Sequence, residues 1–171
     1  MNPTQEAKYC IKCGNLLQDE KEEEKIRKRC PKCGWTYYEN PVPASACVVV
    51  NNRNEILLVK RGVEPALGKW ALPSGYVEIE QTPEECAVTE LEEEAGLKGT
   101  IKKSLGYFMQ DSPICKIVIS FGFFFEQTEG KLQPGDDALD AKFFPISEIP
   151  YLPFSSHRQF VKIIKKEKGI K

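Results

Sequence analysis

Apolar residues fall in short runs along the chain, not in one long block. Ala46–Val50 and Ile117–Phe125 are strand-sized. The β-branched content of Ala46–Asn51 predicts a strand there. A turn at Asn52-Arg53-Asn54 and a second strand over Glu55–Arg61 together predict a β-hairpin. Gly62–Lys69 reads as a loop. Trp70–Val77, interrupted by Pro73 and Gly75, reads as a short irregular extended segment. Thr82-Pro83-Glu84-Glu85 has the chemistry of a helix start: a Thr cap, Pro at the first position and acids in the first turn. Thr82 and Glu85 have capping-box spacing. This helix is expected to run to Ala95 and stop at Gly96. Long strands are expected over Thr100–Gln110 and Ile114–Gln127, and a last strand over Ala141–Pro145. Ser155–Lys166 predicts an amphipathic helix, with Phe160, Ile163 and Ile164 on one side and Lys162, Lys165 and Lys166 on the other.

The first part of the chain is patterned differently. Residues 1–9 predict a frayed start, residues 10–34 carry two cysteine pairs, and Tyr37–Pro41 reads as a linker ending in an extended X-Pro step. The expected division is a small module over residues 1–38 and a larger domain over residues 39–171. A chain of 171 residues with 41% hydrophobic and 29% charged side chains suits that organisation. The net charge of -1 offers no basic excess for nucleic acid or a membrane surface. No apolar run approaches the ~20 residues of a membrane span. Met1–Lys8 lacks the apolar core of a signal peptide, so a cytoplasmic location is expected. Cys47, Cys86 and Cys115 sit in apolar surroundings and are expected to act as small buried hydrophobes.

The remaining four cysteines are spaced Cys10-x-x-Cys13, sixteen residues, Cys30-x-x-Cys33. Two such pairs supply the four thiolates of a tetrahedral structural zinc. Gly14 and Gly34 follow the pairs directly, at positions where a chain turning around a metal needs a positive φ. A redox dithiol or a disulfide are the competing readings. A thioredoxin-type motif would be single and would lie between a strand and a helix. So small a module cannot hold itself together by burial, and metal binding would carry its folding. The acidic run Glu20, Glu22, Glu23 and Glu24 between the pairs reads as a solvated hairpin tip and speaks against nucleic acid, although Lys25, Arg27, Lys28 and Arg29 follow.

The sharpest feature is Glu90-Leu91-Glu92-Glu93-Glu94. Glu90, Glu93 and Glu94 share one helix face, while Ala87, Leu91 and Ala95 share another. Like charges at that spacing repel, and a bound cation relieves them. A solvated charged face is the competing reading. The preceding Trp70–Glu78 segment argues for a site. Gly75 permits close backbone approach, so a phosphate-bearing ligand could lie against the loop and the helix flank. Hard carboxylate oxygens suit Mg²⁺ or Mn²⁺ beside phosphates.

Residues 75–97 resemble the signature of the Nudix hydrolases. Gly75, five residues, Gln81, seven residues and Thr89-Glu90-Leu91-Glu92-Glu93-Glu94-Ala95-Gly96-Leu97 keep its spacing across 23 residues. The resemblance extends to the cysteine pairs, Tyr38-x-Asn40-Pro41, Leu57–Arg61 and Trp70-x-Leu72-Pro73, which are similar to zinc-ribbon members. It implies an α/β fold, a Nudix α/β/α sandwich with a mixed sheet plus an N-terminal zinc ribbon. It also implies that Glu90, Glu93 and Glu94 are catalytic ligands of Mg²⁺ or Mn²⁺. Two positions depart: Gln81 stands where the family has Glu, and Thr89 where it has Arg. Losing both partners of that ion pair leaves no lone charge, and Gln81 and Thr89 could share a neutral hydrogen bond. The subgroup implies a small-molecule nucleotide diphosphate substrate such as ADP-ribose, FAD or NADH. The NADH-specific tail motif is not present. Pro113, sixteen residues beyond Leu97, matches an ADP-ribose-type marker or a plain turn. A homodimer is left open.

In this reading water attacks a phosphorus of the diphosphate. Either Glu93 or Glu94 is the base. Asp137 or Asp140 could supply a further acid, Arg61 could reach a phosphate, and Tyr76, Tyr107 and Phe108 could stack on a base or pack in the core. His157, the single histidine, reads as a capping or surface residue. The alternatives to a diphosphatase are a nucleoside-triphosphate pyrophosphatase and a non-catalytic nucleotide-sensing domain.

Overall fold

A computed structural model describes residues 7–170, the side chains of residues 126 and 127 excepted. By its contacts the chain divides into two units: residues up to Pro41 together with Pro113–Lys116, and Val42–Ser112 together with the residues from Ile117 on.

The first unit holds strands β1 (Gln18–Glu22), β2 (Lys25–Arg29) and β3 (Thr36–Tyr37), ordered β1-β2-β3 and antiparallel. Every β1 residue is exposed, so burial cannot hold this hairpin. Cross-strand ion pairs line it instead: Arg27 with Glu22, Lys28 with Asp19 and Arg29 with Glu20, at 2.7–2.9 Å. Such exposed pairs contribute little each. The small core is Cys10, Leu17 and Cys30, with Ala7, Trp35 and Tyr37 against it. The fraying expected over residues 1–9 is not found where that segment is described. Tyr9 bridges Leu16, and Leu17 N–H donates to Lys8 O at 2.8 Å. Residues 1–6 lie outside the described residues.

The second unit contains β4 (Val42–Val49), β5 (Glu55–Arg61), β6 (Trp70–Ala71), β7 (Ser74–Tyr76), α1 (Pro83–Ala95), β8 (Leu97–Ser112), β9 (Lys116–Gly130), β10 (Ala138–Pro145) and α2 (Ser155–Glu167). The strands form orders β7-β4-β9-β8 and β10-β5-β6. β4 runs parallel to β9, from Val42 opposite Val118 to Val49 opposite Phe125, and antiparallel to β7. The sheet is therefore mixed.

The layers follow from the apolar runs. A strand with no polar alternation must bury both faces. Along β4 and β5, Ala46, Val48, Ile56 and Leu58 join the cluster containing Phe160, Val161 and Ile164 of α2. Their neighbours Cys47, Val49, Leu57 and Val59 join the cluster containing Ala87, Leu91 and Ala95 of α1. Successive side chains thus supply opposite layers, giving an α/β/α sandwich.

The predicted hairpin of β4 and β5 is overturned. The two strands share only an isolated bridge, Val50 to Ile56. β7 and β9 occupy the two edges of β4, and β10 and β6 those of β5. The Asn51–Glu55 turn therefore links two strand sets instead of closing one ladder. Cys47 and Cys86 are buried as expected, but Cys115, in the turn between β8 and β9, is only half-buried. β10 starts at Ala138, three residues before the expected start at Ala141.

Candidate active site

The helix start reads as its sequence requires. Thr82 Oγ1 accepts from Glu85 N–H at 3.2 Å, Glu85 Oε2 accepts from Thr82 N–H at 2.8 Å, and Gly96 caps the C-terminus at φ 67°. Ala87, Leu91 and Ala95 pack inward, which fixes the rotation of α1. That rotation sets three different environments for the glutamates. Glu94 is only 6% exposed, Glu90 is half-buried and Glu93 stands in solvent.

Neighbouring backbone holds two of them. Ser74 N–H donates to Glu94 Oε2 at 2.8 Å. The Glu90 carboxyl lies against Gly75: a Cβ there would meet Glu90 Oε1 at 1.8 Å. Any larger residue at Gly75 would force the Glu90 carboxylate to move. On the side a side chain would occupy, the close approach at Gly75 is made by Glu90.

A third segment closes the site. Gln133 N–H donates to Ala95 O at 3.0 Å and Gly135 N–H to Glu94 O at 3.4 Å, so the loop leading to β10 folds over the end of α1. Gly62 N–H donates to Asp137 O at 2.6 Å, tying that segment to the end of β5. Asp136 and Asp137 thereby join the field of the glutamates. Burial first, then the charges of Glu93, Asp136 and Asp137, push the Glu90 carboxyl up to about 7, with Arg61 opposing. Burial pushes Glu94 up to about 8; the Ser74 N–H opposes this, Glu90 adds to it, Arg61 opposes and Asp136 adds. Among the described residues no lysine or arginine is ion-paired with Glu90, Glu93 or Glu94, whereas Glu92, on the other side, pairs with Lys98 at 3.0 Å. This surplus of hard anionic oxygen with one opposing guanidinium fits a divalent cation.

Each remaining candidate has a definite place. Arg61 Nε donates to Pro65 O at 2.8 Å and its guanidinium lies 5.3 Å over the Phe154 ring. Asp140 is turned to Lys142 at 3.3 Å, away from the glutamates, so Asp137 is the nearer of the two expected acids. Asp136, whose charge acts on both Glu90 and Glu94, carried no motif that set it apart from its neighbour. Tyr76 and Tyr107 are exposed, and Tyr107 contacts Phe121 at 6.1 Å. Phe108 packs edge-on against Phe160 at 5.3 Å and belongs to the core. Gln81 Oε1 accepts from Glu78 N–H at 3.4 Å; among the described residues no bond joins it to Thr89. His157 is neither a cap nor at the surface. It is buried, its Nδ1 accepts from Leu72 N–H at 3.2 Å, and Phe154 caps the helix without a side-chain bond.

The four N-terminal thiols form a second cluster. Among the described residues they are the one group whose potential metal-ligand atoms all lie within 4.8 Å of one another. The glutamate oxygens are not gathered that tightly. Three of the Sγ separations are 3.5–3.6 Å, close to the ~3.8 Å edge that tetrahedral Zn–S bonds of ~2.3 Å require. Gly14 and Gly34 stand at φ 69° and 74°, and each donates back to the first cysteine of its pair at 2.8–2.9 Å.

Comparison with known proteins agrees with this architecture. The family model described as NUDIX domain matches residues 40–164. An ADP-ribose pyrophosphatase from Methanocaldococcus jannaschii is 40% identical over 115 residues, 67% of this chain and 68% of its own. The NAD-capped RNA hydrolase NudC from Pseudomonas aeruginosa is 30% identical over 147 residues, 85% of this chain. The chain spans 50% of that relative's length. The crystal structure of a NUDIX hydrolase from Nitrosomonas europaea superposes with a TM-score of 0.77 at 27% identity, covering 96% of this chain and 94% of that one.

Proposed function

The chain belongs to the Nudix hydrolase family, and from that membership we propose that it hydrolyses the diphosphate linkage of a nucleoside diphosphate derivative, with ADP-ribose as the first substrate to test. Five carboxylates around one arginine at the end of α1 carry this reading. Residues 39–171 are the catalytic domain and residues 1–38 a structural module whose thiols, Cys10, Cys13, Cys30 and Cys33, hold zinc.

Glu90, Glu93 and Glu94 would hold Mg²⁺ or Mn²⁺, which neutralises phosphate charge and acidifies water when bound. The chain's own groups do the rest. Ser74 N–H keeps Glu94 from swinging away, and the missing side chain at Gly75 leaves the room that the Glu90 carboxylate occupies. Arg61, with Nε anchored on Pro65, has its remaining N–H groups for a phosphate oxygen. Water attacks one phosphorus, the bridging P–O bond breaks, and the proton leaves to a carboxylate. Glu93, exposed and without a hydrogen bond among the described residues, is the acceptor we assign. Cleavage of ADP-ribose in this way yields AMP and ribose 5-phosphate.

One observation favours ADP-ribose over FAD, NADH-like compounds and nucleoside triphosphates: the relative of 40% identity carries that activity in its name. Pro113 lies in the turn between β8 and β9 and adds nothing to the choice. Three of the five basic residues of the β1–β2 hairpin, Arg27, Lys28 and Arg29, are matched by carboxylates, which supports a small-molecule substrate over nucleic acid. The test is a panel of ADP-ribose, FAD, NADH and nucleoside triphosphates with Mg²⁺ or Mn²⁺, separating products by chromatography. ADP-ribose should give AMP with the highest kcat/KM. Binding of ADP-ribose without turnover of any compound would establish the sensing alternative instead.

A further inference from the structure

His157 is the single histidine and is 3% exposed, on the first turn of α2. Its Nδ1 accepts a hydrogen bond from Leu72 N–H at 3.2 Å. A ring nitrogen that accepts carries no proton, so the neutral ring is the Nε2–H tautomer. Burial, with Arg61 and Arg158 adding, pushes its pKa down to about 3. The ring is therefore a permanent acceptor over the ordinary working range, with no part in proton transfer.

The residues it holds lead directly to the acidic site. Leu72 is fully buried. Pro73 O accepts from Cys47 N–H at 2.8 Å, and Ser74 N–H donates to Glu94 Oε2 at 2.8 Å. The short link between β6 and β7 is thus pinned at three consecutive residues: to α2 at Leu72, to β4 at Pro73 and to the Glu94 carboxylate at Ser74. Pro73 has a fixed φ and stiffens the link, so a displacement at Leu72 is passed on to Ser74. Phe154 meets the His157 ring edge-on at 5.0 Å and carries the Arg61 guanidinium 5.3 Å from its own ring centroid; the edge-on contact holds the imidazole in its accepting orientation.

We propose that His157 is a positioning residue of the acidic site: by holding Leu72 N–H it sets the place of the Ser74 N–H that orients Glu94. This rests on the reading that Glu94 belongs to a divalent-metal site. The partner one step removed from the ligand is the Ser74 N–H; loss of such a partner typically changes metal affinity or activity by about 10–100-fold, and His157 acts through it.

The test compares His157→Asn with His157→Leu. The Asn Oδ1 stands where Nδ1 stands, and Leu has similar bulk without an acceptor. Three readouts are taken: hydrogen exchange of the Ser74 amide by NMR, Mn²⁺ affinity by electron paramagnetic resonance, and ADP-ribose kinetics. In His157→Leu the Ser74 amide should exchange at least about 10-fold faster, Mn²⁺ should bind about 10-fold more weakly, and kcat should fall about 10–100-fold with KM within about threefold. His157→Asn should return each quantity to within about threefold of wild type. His157→Gln, whose acceptor is displaced toward the Nε2 position, should behave like the Leu variant and replaces it should that protein not fold. Wild-type Ser74 exchange and Mn²⁺ affinity in the variants lacking a placed acceptor would overturn the inference, as would equal damage in the Asn variant. Wild-type protein that binds no Mn²⁺ would instead defeat the metal-site reading, and the Ser74 exchange would still decide the role of His157.

Discussion

Replacing Glu94 by Gln should change how the stability of the metal-free protein responds to pH. Burial lifts the Glu94 carboxyl from 4.5 to about 8, with Glu90 and Asp136 adding. Between these two values the native state keeps a proton that the unfolded chain has released. Stability then falls as pH rises. The contribution is complete below the unfolded pKa and is lost once pH passes the folded one. At about 1.36 kcal/mol per pKa unit, the full shift corresponds to roughly 5 kcal/mol. Glu90 titrates over an overlapping range and the two carboxylates share one field, so about 2–3 kcal/mol is the working figure. Gln keeps an oxygen for the Ser74 N–H and carries no charge. Urea unfolding of wild type and variant from about pH 5 to about pH 8.5, after dialysis without a strong chelator, isolates this term, because the zinc module contributes equally to both. The stability difference should move toward the variant by about 2–3 kcal/mol across that range, or roughly 4–12 °C in Tm for a chain of this size. Millimolar Mg²⁺ at the alkaline end should then stabilise wild type more than the variant. A stability difference independent of pH would contradict a raised Glu94 pKa.

Other expectations are more local. Gly75→Ala places a Cβ 1.8 Å from Glu90 Oε1, so kcat should fall by about 100-fold while far-UV circular dichroism is unchanged; wild-type activity would show that Glu90 can move without consequence. Glu93→Gln, at an exposed position, should reduce turnover by at least about 1,000-fold with Tm within a few degrees, measured by AMP release and thermal melting. Arg61→Ala should raise KM for ADP-ribose by about 10-fold through the lost phosphate contact, a change that steady-state kinetics would reveal. Metal analysis of purified protein should find about one zinc per chain, and Cys30→Ser should lower that content and expose residues 7–41 to protease.

The sequence made some of this architecture legible and hid the rest for physical reasons. Thr82, Pro83, Glu85 and Gly96 act within a turn or two of themselves, so α1 and its ends could be read directly. The thiol module was equally local, because each knuckle closes over a few residues. The fate of β4 and β5 could not be read, since each has one edge claimed by a strand far along the chain, β9 and β10, and the other by a short strand, β7 and β6. A two-sided apolar run states that a strand is buried but not which neighbours bury it. His157 was misplaced for the same reason: its partner Leu72 lies 85 residues away. Gly75 signalled close approach without naming what approaches. Asp136 differs from Asp137 only by where the segment packed on the end of α1 aims it.

The most direct test of the account is an anomalous difference map from a crystal soaked in Mn²⁺. A peak within ~2.0–2.4 Å of carboxylate oxygens from at least two of Glu90, Glu93 and Glu94 is the predicted result. Ordered glutamates with no peak among them, at Mn²⁺ concentrations that support turnover, would contradict it.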